Sequence, residues 1–336
     1  MRKIARSSVT TILGATFVLL LPAAPAQAAP RTWVSSAGSG AVCSRVAPCA
    51  TFAAAHTATD PGGEINCVDA NDYGPVTITK AISIVCDNTE AGILQTNSLS
   101  TAVTINAGAT DIVTLKGLDI EGGGTGARGI DFTAGAALHV HKVQIRNFRA
   151  PNGRGIGFIP PDYAELYVAD SYITDNGVDG GGTNGGIVIQ PSATGSVNAF
   201  INRVQLENNA VGILVDGSFS TGVAVNAIVL ESTVVGSAGH GIAAFTTAGH
   251  AAVSVLVDHA VVSGNFASGI NANGAAASGA GSAVVRIGDS TIALNLTGVS
   301  TTNAGVVQSF KNNRISGNLA DGTPITAFPG PGGPLQ

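Results

Sequence analysis

At 336 residues, with 45% hydrophobic and only 11% charged residues, the chain can build a large core and is too apolar to be disordered. Its formal charge is −5, and removal of the basic leader described below leaves 13 basic against 21 acidic residues, a net charge of −8, which argues against nucleic acid or an anionic membrane as partner. The 45 glycines are nearly twice the usual share of about 7% and call for many tight turns.

Arg2, Lys3 and Arg6 form a basic start, Ile12 to Leu21 an apolar stretch, and Ala26-Gln27-Ala28 an A-x-A cleavage site. Together they read as a secretory signal peptide over residues 1–28. The apolar stretch is interrupted by Pro22 and falls well short of the roughly 20 residues a spanning helix needs, so it predicts export without membrane insertion, into the periplasm or the medium.

Residues 29–100 read as an N-terminal cap with the first turns of a repeat. They contain all four cysteines, Cys43, Cys49, Cys67 and Cys86. An oxidising destination favours two disulfides over a zinc site, since no C-x-x-C pair is present. Of three connectivities, Cys43–Cys49 with Cys67–Cys86 closes the most local loops. Between these pairs, Thr51 to Thr59 (TFAAAHTAT) is short, alanine-rich and helix-compatible, fit to lie across the open end of a solenoid.

Residues 101–320 carry the repeat. Gly-Ile or Gly-Val recurs at Gly129, Gly155, Gly186, Gly212, Gly241, Gly269 and Gly298, with gaps of 26 to 31 residues. Each copy follows a short alternating apolar run such as LHVHKVQIRN or VLVDHAVVSGN. Three strands of four or five residues at about 3.3 Å each, plus turns, occupy one such period. The expected fold is therefore all-β, a single-stranded right-handed parallel β-helix of nine or ten rungs. The L-x-x-L-x-L-x-x-N pattern of leucine-rich repeats is absent, and the β-branched bias disfavours helical solenoids.

Two columns follow from aligning the runs. An asparagine lies three residues after an apolar anchor in Ile173/Asn176, Leu206/Asn209, Val262/Asn265, Ile292/Asn295 and Ile315/Asn318. These amides are expected to stack along the helix axis at a turn with left-handed backbone. Three residues before the anchor stand Lys142, Asp170, Arg203, Glu231, His259, Asp289 and Asn312, an exposed ladder of alternating sign that favours register between rungs. Residues 321–336, rich in proline and glycine, read as a loose cover or a disordered tail.

The segments TWVSSAGSG, PCATFAAAHTA and GGEINCVDANDYGPVTITKAISI resemble the entry segment of secreted bacterial proteins of the pectin-lyase-like superfamily. The resemblance implies the β-helix fold and leaves the reaction open, because lyases, hydrolases, epimerases and proteins without demonstrated activity share it. Gly239-His240-Gly241 matches the histidine motif of polygalacturonases, yet the Asn-x-Asp, Asp-Asp and Arg-Ile-Lys rungs that accompany it there are missing, so His240 reads mainly as a turn residue. A pectate-lyase-like reaction needs a carboxylate cluster for calcium and a proton-abstracting arginine. Asp170, Asp175 and Asp179 form the densest carboxylate supply, with Glu207 in the adjoining rung and Arg146, Arg149 and Arg154 one rung earlier. The Arg-x-x-Pro-x-x-Arg pattern of those lyases is absent.

Arg146, Arg149, Asp170 and Asp175 are thus the catalytic candidates. Arg154, Tyr163, Tyr167, Tyr172, Asp179 and Glu207 are the substrate-binding candidates, and Asp170, Asp175 and Asp179 the candidate calcium ligands. The longest turns of the chain lie in the same region, where solenoids commonly place binding. His139 and His141 alternate along LHVHKV and read as exposed polar positions or a weak metal pair. The expected partner is a polysaccharide, recognised extracellularly or held at the cell surface, with a calcium-assisted uronate lyase and an adhesive or assembly protein as the alternatives.

Overall fold

The computed structural model describes residues 29–327 except 88, 179–181, 183 and 324; the leader and the last nine residues lie outside the described residues. Every rung makes three short strands, and each strand pairs in parallel with its equivalents one rung above and below. The result is one 12-stranded and two 10-stranded parallel sheets, wound as a right-handed parallel β-helix of about ten rungs. The first sheet takes the V-x-V strands (Ala137–His141, Ala164–Ala169, Val197–Asn202 and onward). The second takes the Gly-Ile strands (Arg128–Ala134, Arg154–Phe158, Gly185–Ile189, Ile213–Asp216 and onward). The third takes the short strands before each asparagine (Gln144–Arg146, Tyr172–Thr174, Gln205–Glu207 and onward).

Parallel in-register pairing puts like on like in the core. Val140, Val168, Ile201, Val229, Val257 and Ile287 form one inward column of the first sheet. Ile130, Ile156, Ile187, Ile213, Ile242 and Ile270 line the second sheet, and Ile145, Ile173, Leu206, Val234, Val262 and Ile292 the third; all are essentially fully buried. Each such side chain contributes about 1.5–3 kcal/mol on burial.

At the N-terminal end the helix Phe52–Ala58 covers the first rung. Thr51 caps it by accepting the Ala54 N–H at 3.2 Å, and Phe52 packs on Tyr73 with ring centroids 5.1 Å apart. Cys43 is bonded to Cys49 and Cys67 to Cys86. At the other end, Ala320–Gly322 and Thr326–Ala327 add strands to the second and first sheets, so part of the segment expected as a tail is rung.

The asparagines stack as expected, but their own backbone is not the left-handed element. That role falls to the preceding residue, with φ of 56° at Asp175, 51° at Asn208, 66° at Gly264 and 59° at Leu294. The twist turns each asparagine inward, where a chain corner leaves strand amides without sheet partners. Asn209 Oδ1 accepts from the Asn176 N–H and Nδ2 at 3.0 and 3.1 Å, while Asn209 Nδ2 donates to the Ile173 carbonyl at 2.9 Å. Asn265 and Asn295 repeat the pattern. The repeating glycine is its counterpart: a Cβ on Gly241 would lie 2.8 Å from Asn265 Nδ2, and one on Gly269 2.7 Å from Asn295 Nδ2. The ladder is interrupted at Ser237, whose buried Oγ has no partner.

The charged column is also left-handed, with φ between 41° and 53° from Lys142 through Asp289. Here too the strained residue turns its successor inward: Val143, Ser171, Val204, Ser232, Ala260 and Ser290. Each serine accepts a backbone N–H from the rung above, at 3.2, 3.1 and 3.1 Å from Val143, Val204 and Ala260, and returns its own proton to a carbonyl two residues back. The outer charges follow the same two-rung alternation. Arg203 Nε sits 2.6 Å from Asp170 Oδ1, and Arg203 and His259 lie 4.0 Å from Glu231 and Asp289. These contacts are exposed and chiefly reinforce register.

Replacing Asn265 with alanine leaves the buried Ser237 N–H without its acceptor at 2.9 Å and removes one of the two donors to Asn295 Oδ1, which keeps the Asn265 backbone N–H. The expected loss is about 2 kcal/mol by chemical denaturation. Asn226→Ala, which removes an exposed amide hydrogen-bonded to Asn198 on the outer face of the first sheet, should change stability far less.

Candidate functional site

The residues singled out from the sequence are distributed over three faces and two corners. On the first sheet, Tyr167 stacks between His139 and Phe200, with centroids 4.6 and 5.1 Å away, so neighbouring rungs occupy both faces of its ring. Its hydroxyl donates to Glu165 at 2.8 Å. Tyr163 donates to the same carboxylate at 2.6 Å and accepts from Asn198 at 3.0 Å. Tyr163 is 53% exposed and Phe200 39%, so both rings keep free surface.

On the third sheet, Arg146 is bound by two carboxylates of the preceding rung, Asp119 and Glu121, with Nε 2.6 Å from Glu121; the Asp119 hydrogen bond chiefly raises its pKa. Tyr172 donates to Glu207 at 2.7 Å on the same face.

Asp170 and Asp175 sit at opposite corners of their rung, either side of Tyr172–Thr174. Asp170 is held by Arg203 and by His141, 2.8 Å away, and the Arg203 hydrogen bond pulls its pKa down. Asp175 accepts the Thr174 hydroxyl at 3.0 Å. Arg149 lies half-buried in the turn after Gln144–Arg146, and Asp179 lies outside the described residues. The structure therefore gives Arg146 and Asp170 separate partners and does not bring them together. Among the described residues, the trio of ligand-type side chains whose donor atoms lie within 4.8 Å of one another is Asp258, His259 and Asp289, of which His259 and Asp289 belong to the charged column.

The second sheet is different. Its outward positions should be polar, yet Gly157, Val188, Leu214 and Ala243 follow one another along the axis, and the last three, with Val211 and Phe245, make an apolar cluster separate from the main core. The strands Arg154–Phe158, Gly185–Ile189 and Ile213–Asp216 are buried on both faces. A sequence signal for this exists, because GGIVI and ILVD are continuous apolar runs where the first sheet alternates. That signal, and with it Leu214, Phe219 and Phe245, went unread.

Beside this cluster is a hollow of about 380 Å³ with Leu214, Ala243, Phe219 and Phe245 in its wall. Phe219 is 58% exposed. The polar groups around it have fixed roles. Asp216 accepts from Gln190 Nε2 at 2.8 Å and from the N–H and hydroxyl of Ser218 at 2.8 and 2.6 Å, so it holds the Phe219 turn in place. His240 lines the hollow too. Its Nδ1 accepts the Ser268 N–H at 3.2 Å, which leaves the proton of the neutral ring on Nε2, and burial lowers its pKa. Asn271 donates to Ser300 at 2.8 Å, and Asn273 accepts from Asn303 at 2.8 Å, leaving the Asn273 NH2 without a protein partner.

Toward the N-terminus the same face carries Arg154 two rungs before Leu214, and Arg128 and Asp131 three rungs before it. Arg128 Nη1 lies 3.1 Å from Asp131 Oδ2. Burial lowers the Arg154 pKa, with Arg128 adding to the effect, and raises that of Asp131 against the opposing pull of both arginines.

No family model and no curated protein matches the chain. Among solved structures, that of pectate lyase Pel9A is similar over 86% of this chain and 80% of that one, at 11% identity and a TM-score of 0.45. The fold and this face define a parallel β-helix protein with an apolar hollow on one lateral sheet. Among the described residues, no helix is long and apolar enough to cross a membrane.

The two histidines at issue should titrate in opposite senses by NMR: His240 below 6.5 because of burial, His259 above 6.5 because of Asp258. Since folded His240 resists protonation, stability should fall as pH drops through 6.5, and His240→Gln should blunt that fall. His259 has the reverse sign: its contribution is present below 6.5 and lost as pH rises through the folded-state value.

Proposed function

We propose that this is an exported polysaccharide-binding β-helix, with the glycan running along the outer face of the second sheet and one sugar ring seated in the hollow. The carrying observation is the apolar wall of Leu214, Ala243, Phe219 and Phe245, set on a surface position where a solenoid otherwise presents polar side chains and edged by convergent polar groups. Sugar rings offer an apolar face bordered by hydroxyls. The His240 Nε2–H and the Asn273 NH2 are donors for those hydroxyls, and the Phe219 ring is free to lie against the apolar face. The leader sequence and the two disulfides are in keeping with an extracellular site of action.

His240 is thus read as a positioning donor. Its Nδ1 is occupied by the Ser268 amide, Asp216 is engaged by three donors, and Asp216 is the one carboxylate among the described residues lining the hollow, where a glycoside hydrolase uses two.

Titration of the purified mature chain against neutral and acidic polysaccharides by calorimetry, with product formation followed in parallel, tests this reading. Binding without turnover is expected, weakened about tenfold or more in Phe219→Ala while the thermal transition stays in place. Binding that survives Phe219→Ala and is lost in Tyr163→Ala would move the site to the first sheet. Calcium-dependent appearance of unsaturated ends, abolished in Arg149→Ala, would replace this reading with a lyase built on Arg146, Arg149, Asp170 and Asp175.

A further inference from the structure

The first sheet also turns apolar residues outward, and in an order that reads the same from both ends. Its middle column opens with two polar residues, Thr114 and His139, and closes with two more, Arg286 and Gln308. Between them Tyr167, Phe200, Ile228 and Leu256 stand on four consecutive rungs. Neighbouring rungs cover the flanks of these side chains and leave their outer ends, 39% of Phe200 and less of the others.

The adjacent column has the same symmetry. Ile112 is 50% exposed at one end, and Val284 and Val306 are half-buried at the other. Asn198 and Asn226 meet in the middle, 3.0 Å apart. Glu165 stands one rung before Asn198, and Ser254 one rung after Asn226. Arg286 Nη1 donates to Ser254 Oγ at 3.0 Å, which lays the guanidinium back over the Ser254 rung.

A face with this order is complementary to itself. A two-fold axis lying along the strands, between the Phe200 and Ile228 rungs, lays a second copy on the first with rungs running in opposite directions. Phe200 then meets Ile228, Tyr167 meets Leu256, Ile112 meets Val306, and Glu165 of each copy meets the Arg286 guanidinium of the other. Burial lowers the His139 pKa, so His139 faces Arg286 as a neutral ring. Asp258, on the far border, stands over Ala169 and keeps its own partner His259 at 2.8 Å. The eight rungs from Ile112–Lys116 to Val306–Ser309 cover one another in this arrangement. At about 4.8 Å per rung and about 3.3 Å per residue they make a face of roughly 38 by 20 Å, close to the ~800 Å² per partner of a standard interface.

We infer that the mature chain pairs with a second copy of itself, face to face through the first sheet, with Tyr167, Phe200, Ile228 and Leu256 at the centre and a Glu165–Arg286 ion pair toward each end. The inference goes beyond the glycan reading and does not rest on it, since that reading uses the second sheet.

Sedimentation equilibrium of the mature chain at micromolar concentration should give a dimer. Glu165→Arg and Arg286→Glu each set like charges face to face and should weaken it by about tenfold or more. Mixing the two variants should restore it, because the introduced arginine of one copy meets the introduced glutamate of the other while the native pair forms at the opposite end. Recovery on mixing is a readout that damage to either fold would not produce.

A monomer at micromolar concentration, a dimer indifferent to both charge reversals, or folded single variants that stay apart on mixing would each overturn the inference. Should either variant fail to fold, chains carrying Glu165→Cys and Ser254→Cys decide. The native cysteines are all in disulfides, so a short bismaleimide reaches only the introduced thiols. Covalent dimer from the mixed chains, with little from either alone, supports the inference, and any other pattern overturns it. A monomer whose Phe200→Ala form loses polysaccharide binding would give this face to the glycan instead.

Discussion

The asparagine amide that bridges one rung to the next at a single corner is the interaction on which the rest of this solenoid depends. At that corner the strands of the third sheet end and backbone N–H groups turn away from any sheet partner. One amide makes three bonds to the rung above: Asn209 Oδ1 accepts from the Asn176 N–H and from the Asn176 side-chain amide, and Asn209 Nδ2 donates to the Ile173 carbonyl. The rung above must then carry glycine where the amide passes, at under 3 Å from an added Cβ for Gly241, Gly269 and Gly298. Asparagine and glycine are thus two halves of one contact, and their shared spacing sets the length of each rung.

Register fixed in this way lets identical side chains stack in the interior and leaves the three outer faces free to differ. The first sheet stacks His139, Tyr167 and Phe200 on one another and flanks them with hydrogen-bonded amides, so its aromatic surface is largely used internally. The third sheet satisfies its charges between adjacent rungs, as Arg146 does with Asp119 and Glu121. On the second sheet, apolar residues lie beside His240 and Asn273, whose Nε2–H and NH2 groups have no partner among the described residues.

The fold was largely legible because its signals are local and repeated. Period, β-branched runs and the asparagine and charge columns all survive in the linear chain. The left-handed backbone expected at that turn is carried by the residue before each asparagine, which makes the bend that turns the amide inward. The serines at Ser171, Ser232 and Ser290 were missed, being only every second member of a column that otherwise holds valine or alanine.

The candidate site was much less legible. Proximity in sequence grouped Arg146, Arg149, Asp170 and Asp175, but a rung turns three corners within its length, so residues a few positions apart point to different faces. Sequence by itself determined the solenoid, its rung length and the composition of its stacked interior, because each of these repeats at a fixed interval. Only the tertiary structure decided which outward side chains find partners one rung away: Arg146 and Asp170 do, whereas the buried Arg154 Nε and Nη1 do not, and the apolar wall beside Phe219 stays open as a hollow.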